Sequence, residues 1–377
     1  MHMKKTILAL AIGVAAQGVS AYETEYGNVM ADIKLRYESN DTDDGVNDAG
    51  KGLITDAAIG FETKAYSGFK ALAEYEIVQP LIDDYAPENA GYDVIADPET
   101  KEWNRAQISY KNEGFGAVVG RQRIILDNAR FVGNVGWRLN EVTYDAATFT
   151  YSKDALTAHF SYIDQRNFLN GTEQDQSDLL FNFGYQTAIG KFVAFAYLLE
   201  SEDNGAENDT YGLSYSGNTM VNETKLIYSA TYSQQVTPAY ETNYFAFEGG
   251  AVVSGVTLAA GAEVLGSGET GTPGFSFPYG TNHAFNGWAD KFLSTPEKGL
   301  EDKYLKAATN VAGLGLLGFY HKFDSVQDSV DLGSELDLQA VKVLNKTYTV
   351  GAKYANYSAG DVGVDTTKFW LWGQAKF

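Results

Sequence analysis

The chain has 377 residues, with 28 Lys and Arg against 49 Asp and Glu, so its formal net charge is −21. Such an acidic chain repels nucleic acid, and the lack of Cys excludes a fold held by disulfides. With 39 Gly, 25 Tyr and 21 Phe but only 7 Pro, the composition favours strands and leaves aromatic residues for the girdles of a membrane barrel.

The amino terminus predicts a signal peptide over residues 1–21. Two lysines precede an apolar run over residues 7–16, and small residues follow where a signal peptidase cuts, so the mature chain is expected to begin near Tyr22. The apolar run is shorter than the roughly 20 residues that a spanning helix needs. The alternative is a secreted soluble protein, and the strand pattern of the remaining chain decides between the two.

Period-two alternation between turn signals predicts 18 strands in the rest of the chain. They cover residues 28–38, 53–66, 68–79, 102–112, 115–124, 141–152, 154–165, 177–187, 190–201, 208–217, 221–234, 239–252, 255–265, 302–311, 314–324, 334–344, 346–357 and 366–377. Each is long enough to cross a bilayer at a tilt.

The predicted connections alternate in length. Those after even-numbered strands are short, whereas most of those after odd-numbered strands are long, notably 39–52, 80–101, 125–140 and 266–301. This layout predicts an all-β protein, a transmembrane antiparallel barrel of 18 strands over residues 22–377, with short periplasmic turns and long extracellular loops. Loops 80–101, 125–140 and 266–301 are expected near or in the pore.

The alternation also assigns the two faces of each strand. In the first strand, Leu35 belongs to an apolar set that should face lipid, and Lys34 and Arg36 belong to a polar set that should face the lumen. The last strand alternates in the same way and ends in Phe377. An aromatic last residue resembles the terminal signal by which bacterial outer-membrane barrels are recognised for insertion.

A basic island interrupts the acidic sequence. Four of the seven Arg lie within 18 residues whose only acid is Asp127, and these are Arg121, Arg123, Arg130 and Arg138. Guanidinium groups bind anions and polar solutes with a fixed fork of donors, so the island predicts a selectivity site.

Two arginines of the island are expected to enter the lumen together, because Arg121 and Arg123 have the same parity. If a three-residue turn spans residues 112–114, then Arg105 faces Arg121 across the ladder. Like charges in that arrangement destabilise a sheet, which favours a functional reason for the pair. In the alternative interpretation, lumenal arginines are simply neutralised by Asp127, Glu141 and Asp145.

Two segments carry a resemblance to a known family. Residues 120–146 read GRQRIILDNARFVGNVGWRLNEVTYDA and residues 280–304 read GTNHAFNGWADKFLSTPEKGLEDKY. Both resemble signature stretches of the alginate export family of outer-membrane barrels. The resemblance implies an 18-stranded barrel with an arginine-lined constriction for an anionic polysaccharide, and it makes the four island arginines and Lys291 candidates for the pore lining.

The second of these segments predicts a pore loop. Phe285, Trp288 and Phe292 follow one another at helical spacing, which favours a short helix folded into the barrel mouth. The candidate residues of this loop are His283, Phe285, Trp288, Asp290 and Lys291. The loop either plugs the barrel structurally or lines a path along which aromatic rings contact sugars.

The sequence predicts neither a catalytic site nor a metal site. His159 and Ser161 lie two residues apart on one strand face, but no clear Asn or Asp orienter follows at a matching position on the next strand, so no enzymatic activity is expected. The acidic runs at 40–45 and 202–205 lack the spacing of a calcium loop, and no cofactor or metal is predicted.

These observations predict a porin of the bacterial outer membrane for diffusion of small polar or anionic solutes, including oligosaccharides. Export of an alginate-like polymer is the second interpretation, and a plugged surface receptor or adhesin is the third. The expected partners are outer-membrane lipid and lipopolysaccharide, the barrel assembly machinery, and the solutes or saccharides themselves. The oligomeric state stays open.

Overall fold

The computed structural model describes residues 22–377, so the predicted signal peptide lies outside the described residues. Eighteen long strands follow one another: β1 (Gly27–Thr42), β2 (Gly50–Thr63), β3 (Phe69–Asp84), β4 (Thr100–Asn112), β5 (Phe115–Gln122), β6 (Thr143–Lys153), β7 (Leu156–Asn167), β8 (Glu173–Thr187), β9 (Gly190–Glu200), β10 (Glu207–Val221), β11 (Thr224–Val236), β12 (Glu241–Val253), β13 (Val256–Leu265), β14 (Leu300–Val311), β15 (Leu314–Asp324), β16 (Asp331–Val343), β17 (Tyr348–Ser358) and β18 (Thr366–Lys376).

Two short elements complete the described chain. A two-residue strand, Tyr22–Glu23, pairs with the start of β1, and Asn282–Ala284 forms one turn of 3₁₀-helix. Across residues 22–377 no helix has both the length and the apolar character to cross a bilayer.

The strands close into a single antiparallel barrel. Each strand pairs with its neighbours in sequence, and β18 pairs with β1 from Thr366–Thr42 to Lys376–Asp32. Closure leaves the barrel without an unpaired edge. The predicted class and the number of barrel strands are both confirmed, and the observed strands mostly extend further towards the long loops than the sequence pattern indicated.

The two faces of the wall differ as the alternation predicts. On β1 the side chain of Leu35 is 41% exposed on the outer face, whereas its neighbour Arg36 is 3% exposed inside. Large apolar residues are exposed around the outer wall, among them Ile59, Ile108, Val119, Phe149, Phe183, Leu213, Phe245, Leu305, Leu338 and Leu371. Such a wall requires an apolar surrounding, because these side chains would otherwise face water.

At one end of the barrel, here called the turn end, consecutive strands are joined by connections of two to five residues. Glu113 and Gly114 both have positive φ, 42° and 92°, which is the geometry of a two-residue type I′ hairpin. The expected three-residue turn is therefore wrong, because Asn112 itself pairs with Phe115.

At the opposite end, the loop end, three long connections fold into the barrel: loop A (residues 85–99), loop B (residues 123–142) and loop C (residues 266–299). Each loop packs apolar side chains onto the inner wall. Ile95 of loop A packs with Ile54 and Val78, Val132 of loop B belongs to the cluster of β6–β9, and Phe275 of loop C belongs to the cluster of β12–β18. The apolar cores of the barrel are therefore the places where loops meet its inner wall.

Candidate functional site

An ion network joins the three inward loops to the strands that close the barrel. Its members are Arg36 and Glu38 of β1, Asp97 of loop A, Arg138 of loop B, Asp290 of loop C and Lys368 of β18. Arg138 Nη1 donates to both oxygens of Glu38 at 3.0 Å, and Arg138 Nη2 lies 3.2 Å from Asp290 Oδ2. Lys368 Nζ donates to the same Asp290 oxygen at 2.8 Å. Three cations balance three carboxylates, and none of the side chains is more than 7% exposed.

A buried lysine lies next to this network. Lys353 of β17 is 4% exposed, and its ammonium lies 3.7 Å from the ring centre of Trp288 and 4.2 Å from that of Trp137. Lys353 Nζ is 2.8 Å from His283 Nε2, and His283 Nδ1 is 2.6 Å from Asp290 Oδ1. Cation–π contacts therefore attach loops B and C to the wall through one ammonium.

Loop C docks on the inner face of β16–β18 at residues 288–290, here called the septum. The backbone N–H of Trp288 donates to Asp337 Oδ2 at 3.2 Å, and that of Ala289 donates to Glu335 Oε1 at 2.6 Å. Gly287 is required immediately before the septum, because its φ is +85° and a Cβ would lie 2.3 Å from Glu335 Oε2. Two wall carboxylates thereby fix the path of the septum.

The predicted helix in loop C is wrong. Asn286 and Asp290 have φ of 54° and 62°, which an α-helix cannot contain. As a result Phe285, Trp288 and Phe292 do not share one side. Phe285 stacks under Arg130, Trp288 contacts Lys353, and the ring of Phe292 lies 4.6 Å from that of Phe323.

Two cavities lie next to the septum. The cavity at the loop end, here called the vestibule, has a volume of about 310 Å³ and includes Asn40, Arg138, Ala289, Asp290, Lys291, Thr366 and Lys368 in its lining. The other cavity, here called the inner chamber, has a volume of about 550 Å³, and Trp288 contributes to its lining. Residues of loop C thus line both cavities, Trp288 the inner chamber and Ala289 and Asp290 the vestibule.

Lys291 is the least compensated cation of the vestibule. Its Nζ donates to Thr366 Oγ1 at 3.1 Å and lies 5.5 Å from the ring centre of Tyr357, and no carboxylate of the described residues lies within ion-pair distance. Burial, and then the neighbouring charge of Lys368, lowers the pKa of Lys291 from its ordinary value. An anion in the vestibule would stabilise the charged form of this lysine.

Arg130 of the basic island holds loop B against loop C. Its Nη2 donates to Glu263 Oε2 and to Asn286 Oδ1, both at 2.6 Å. The guanidinium lies between two rings, 3.8 Å from the centre of Phe277 and 4.6 Å from that of Phe285. Arg130 is 3% exposed and its Nη2 donates to groups on β13 and loop C, so its main effect is on the position of both loops.

Arg105 and Arg123 form the lumenal arginine pair; both contact Glu74, and Arg123 also contacts Glu141. Arg105 donates to both oxygens of Glu74 at 2.8 and 2.6 Å, while Arg123 Nε donates to Glu141 Oε2 at 2.6 Å and Arg123 Nη2 lies 3.6 Å from Glu74. A bulge at Asn104 turns both Asn104 and Arg105 inward, and Asn104 Nδ2 donates to both carboxylates. Two cations and two anions make this cluster neutral overall.

The prediction that Arg121 and Asp145 face the lumen is wrong. The ladder pairs Arg121 with Ala106, not with Arg105, and Arg121 shares the outer side of β5 with Val119, which is 57% exposed. Arg121 donates to the two oxygens of its ladder partner Asp145 at 2.8 and 2.9 Å. Arg123 differs because it follows the last residue of β5, where the chain turns inward.

The other predicted residues lie apart from the septum. Lys34 Nζ donates to Asp56 on the adjacent strand at 2.9 Å. Asp127 accepts a hydrogen bond from Asn182 at 2.7 Å and lies 3.5 Å from Lys191, which places it at the wall of the inner chamber.

The His159 and Ser161 pair is enclosed within the sheet. His159 Nε2 lies 2.8 Å from Ser161 Oγ, but that hydroxyl is fully buried and bonds to Thr148 at 2.7 Å. A substrate cannot reach an oxygen in this position. Within residues 22–377, no group of three or more His, Asp or Glu is arranged to hold a metal ion.

A pH effect on loop C follows from the burial of His283. Burial lowers the pKa of His283 to about 3, against an ordinary value near 6.5. Between these two values a released loop binds a proton that the docked loop does not, so docking weakens as the pH falls, by about 1.4 kcal/mol per pH unit. Burial alone would raise the pKa of Asp290, but His283, Lys368 and Arg138 hold it well below its ordinary value, so Asp290 stays ionised throughout this window.

We therefore expect acidification from pH 7 to pH 5 to release loop C more often and to increase single-channel current through the barrel. The substitution His283→Gln keeps a hydrogen-bonding side chain but removes the titration, and it should abolish most of this pH dependence. An identical pH response in wild type and His283→Gln would assign the effect to another group.

Comparison with known proteins identifies the fold. No protein-family model and no curated protein matches the chain. Solved structures match over nearly their whole length: Pseudomonas aeruginosa OpdK with vanillate (12% identity, 93% of this chain and 98% of that chain, TM-score 0.71), P. aeruginosa OccK9 (14%, 94% and 99%, 0.71) and Acinetobacter baumannii OccAB4 (12%, 95% and 100%, 0.70). This chain has their fold. One OpdK structure is that of an outer membrane protein of P. aeruginosa; the likeness shows the barrel fold and does not point to the alginate export family.

Proposed function

We propose that this protein is a channel of the bacterial outer membrane that lets small polar or anionic solutes diffuse through its barrel. The closed wall satisfies every strand edge, and its exposed outer side chains are apolar, as a bilayer requires. In this proposal the barrel contacts outer-membrane lipid and lipopolysaccharide. Phe377, whose N–H donates to Ala31 O at 2.8 Å, completes the strand by which the assembly machinery recognises it.

The observation that carries the proposal is the pair of cavities that the septum residues line inside the closed barrel. Loops A, B and C fill part of the lumen, which leaves space next to residues 288–290 for solutes of limited size. A constriction held by buried charges and flanked by cavities favours selective diffusion of small molecules over a wide aqueous pore.

The vestibule favours anions among these solutes. Lys291 and Lys368 lie in its lining, and Lys291 has no carboxylate partner among the described residues. Apolar groups of Val94, Ala96 and Leu293 share the same cavity. A small carboxylate with an apolar body would suit both features, and vanillate, with which OpdK was crystallised, is such a compound.

Two alternatives are retained. Export of an alginate-like polymer is favoured by the resemblance of residues 120–146 and 280–304, but a polymer needs a continuous wide path, which the docked loops narrow. A plugged receptor is favoured by the extent of buried contact between loops and wall. The two differ from the proposed channel in ion current and in solute flux.

The decisive experiment measures current and flux with the full-length folded barrel. In planar bilayers we expect discrete single-channel steps, and in liposomes we expect faster entry of vanillate than of its neutral amide, vanillamide. Folded protein that gives no current would support the plugged receptor, and equal flux of the two compounds would contradict anion preference.

The proposed orientation puts the loop end outside the cell and the turn end in the periplasm. Single cysteines at Asp43, between β1 and β2, and at Glu113, in a two-residue turn, lie at opposite ends of the wall. In intact cells an impermeant thiol reagent should label the cysteine at position 43 alone. Labelling of both positions, or of position 113 alone, would contradict the orientation.

A further inference from the structure

The inner chamber differs chemically from the vestibule and holds a separate set of groups. It lies on the turn-end side of the septum, against the inner faces of β9–β15, and its volume is about 550 Å³. This size lies within the range of 300–1,000 Å³ that is usual for small-molecule sites. The features of its wall indicate which class of solute it takes.

Four hydroxyl groups form a block on this wall. Ser214 and Ser216 of β10 lie directly opposite Thr231 and Ser229 of β11 in the ladder, and all four line the chamber. Across residues 22–377, no protein hydrogen bond involves any of these four side chains. Cross-strand neighbours are about 5 Å apart, so the block offers closely spaced donors and acceptors to a solute.

On the two strands that flank this block, the ladder places a cation on one side and a carboxylate on the other. Ser216 pairs with Lys191 of β9, and Ser229 pairs with Glu248 of β12. Lys306 Nζ and Tyr304 Oη donate to Glu248 at 3.2 and 3.0 Å. One row across the wall therefore presents an ammonium, two hydroxyls, a carboxylate and a phenol in sequence.

Aromatic rings form the remaining boundary of the chamber. Trp288 and Phe285 of loop C and Tyr304 and Phe319 of the wall all line it. Tyr304 can lie flat across β13 only because position 261 is Gly, where a Cβ would be 2.3 Å from Tyr304 Cζ. The chamber thus combines ring faces with many small polar groups.

The charges of the chamber do not favour an additional anion. Its lining includes the carboxylates of Asp127, Glu248, Glu263 and Asp302 and the cations of Arg130, Lys191 and Lys306. Each of these cations already lies within 3.5 Å of one of the carboxylates. A neutral solute can use both signs of charge through its hydroxyl groups without disturbing these pairs.

We infer that the inner chamber is a binding site for a neutral polyhydroxylated solute, a saccharide of one or two rings. Sugar hydroxyls donate and accept at the serine block and at Glu248 and Lys191, and the apolar faces of the rings contact the aromatic boundary. This inference deepens the proposed function, since it gives a substrate class to the same passage, and it needs no net anion selectivity.

The test uses the full-length folded barrel and maltose as the probe. Binding is followed by tryptophan fluorescence in detergent, since Trp288 lines the chamber, and in parallel by blockade of single-channel current in a bilayer. Maltose should change the fluorescence and interrupt the current, whereas triethylene glycol dimethyl ether, which has no hydroxyl group, should do neither. Maltose binding without any current would contradict the proposed channel but support the binding site. Current that maltose does not affect would overturn the binding site but support the channel.

Paired substitutions locate the site. The double substitution Ser216→Ala with Ser229→Ala should weaken maltose binding about tenfold, as expected from the loss of two net hydrogen bonds. The matched pair Ser152→Ala with Ser177→Ala changes serines outside the chamber and should leave binding unchanged. Glu248→Gln gives an independent second variant, and heat-modifiable migration on gels reports that each variant is folded. Unchanged affinity in both chamber variants would overturn the inference.

Discussion

The substitution Arg138→Met is expected to release the three inward loops and to raise single-channel conductance. Met fills much of the volume of Arg but leaves Glu38, Asp97 and Asp290 with only Arg36 and Lys368 as cations. Breaking a buried ion pair by removing one partner costs about 3–5 kcal/mol, because the remaining charge stays buried without compensation. Hydration of the uncompensated carboxylates would lower this energetic cost most easily. Water can reach them only if loops A, B and C separate.

Arg121 provides the matched control for this change. It belongs to the same basic island and is ion-paired, but its partners Asp145 and Glu173 do not belong to the network, and it lies on the outer side of the wall. Arg121→Met should therefore leave conductance near the wild-type value. Proteolysis of loop C in intact barrels gives a second readout, and it should accelerate only in Arg138→Met. Equal conductance in wild type and Arg138→Met would show that the network does not hold the constriction.

The barrel itself was predictable because strand patterning is a local signal. A polar lumen and an apolar surrounding impose a period of two on every strand, and short hairpins impose turn residues at one end. The same locality explains the error at the β4–β5 turn. Two left-handed residues, Glu113 and Gly114, close a hairpin as well as three residues do, and composition alone does not distinguish the two cases.

The apolar inner wall was less visible in the sequence. Strand β9 carries Val193, Phe195, Tyr197 and Leu199 on its inner face, although its outer face is also apolar. A strand buried on both sides loses its period-two signal. Its burial is caused by Val132 and other residues of loop B that are about 60 positions away, so only the folded chain reveals why that face is apolar.

The candidate site was predicted in part for a related reason. The basic island was visible, but its effect depends on partners that are distant in sequence, such as Glu38 for Arg138 and Glu263 for Arg130. Residues 117–119 are all small or apolar, so the sequence shows no alternation between the two faces there. It therefore did not indicate that Arg121 lies on the outer face. For Lys353 and Lys368 the strand alternation predicted only that they face inward. Nothing else in the sequence indicated a role, since isolated lysines are common on strands that line water.

Charge reversal at Lys291 is expected to turn the vestibule from a site that attracts anions into one that repels them. Among the described residues Lys291 has no carboxylate within ion-pair distance, so no ion pair neutralises its charge. A unit charge about 5 Å from the path of an ion is worth roughly 3 kcal/mol at an effective dielectric constant near 20, before screening by salt. The change from +1 to −1 in Lys291→Glu doubles that difference.

Reversal potentials in a salt gradient across a planar bilayer should consequently shift towards cation selectivity in Lys291→Glu, and flux of vanillate into liposomes should fall. The control is Lys298→Glu, which makes the same change of charge in the same loop, at an exposed lysine paired with Asp328. Because that site lies in solvent, salt screens it and its effect on selectivity should be small. If both substitutions shift the reversal potential equally, the overall charge of the mouth determines selectivity. If neither does, permeating ions bypass the vestibule, and the neutral cluster of Arg105 and Arg123 becomes the better candidate for the path.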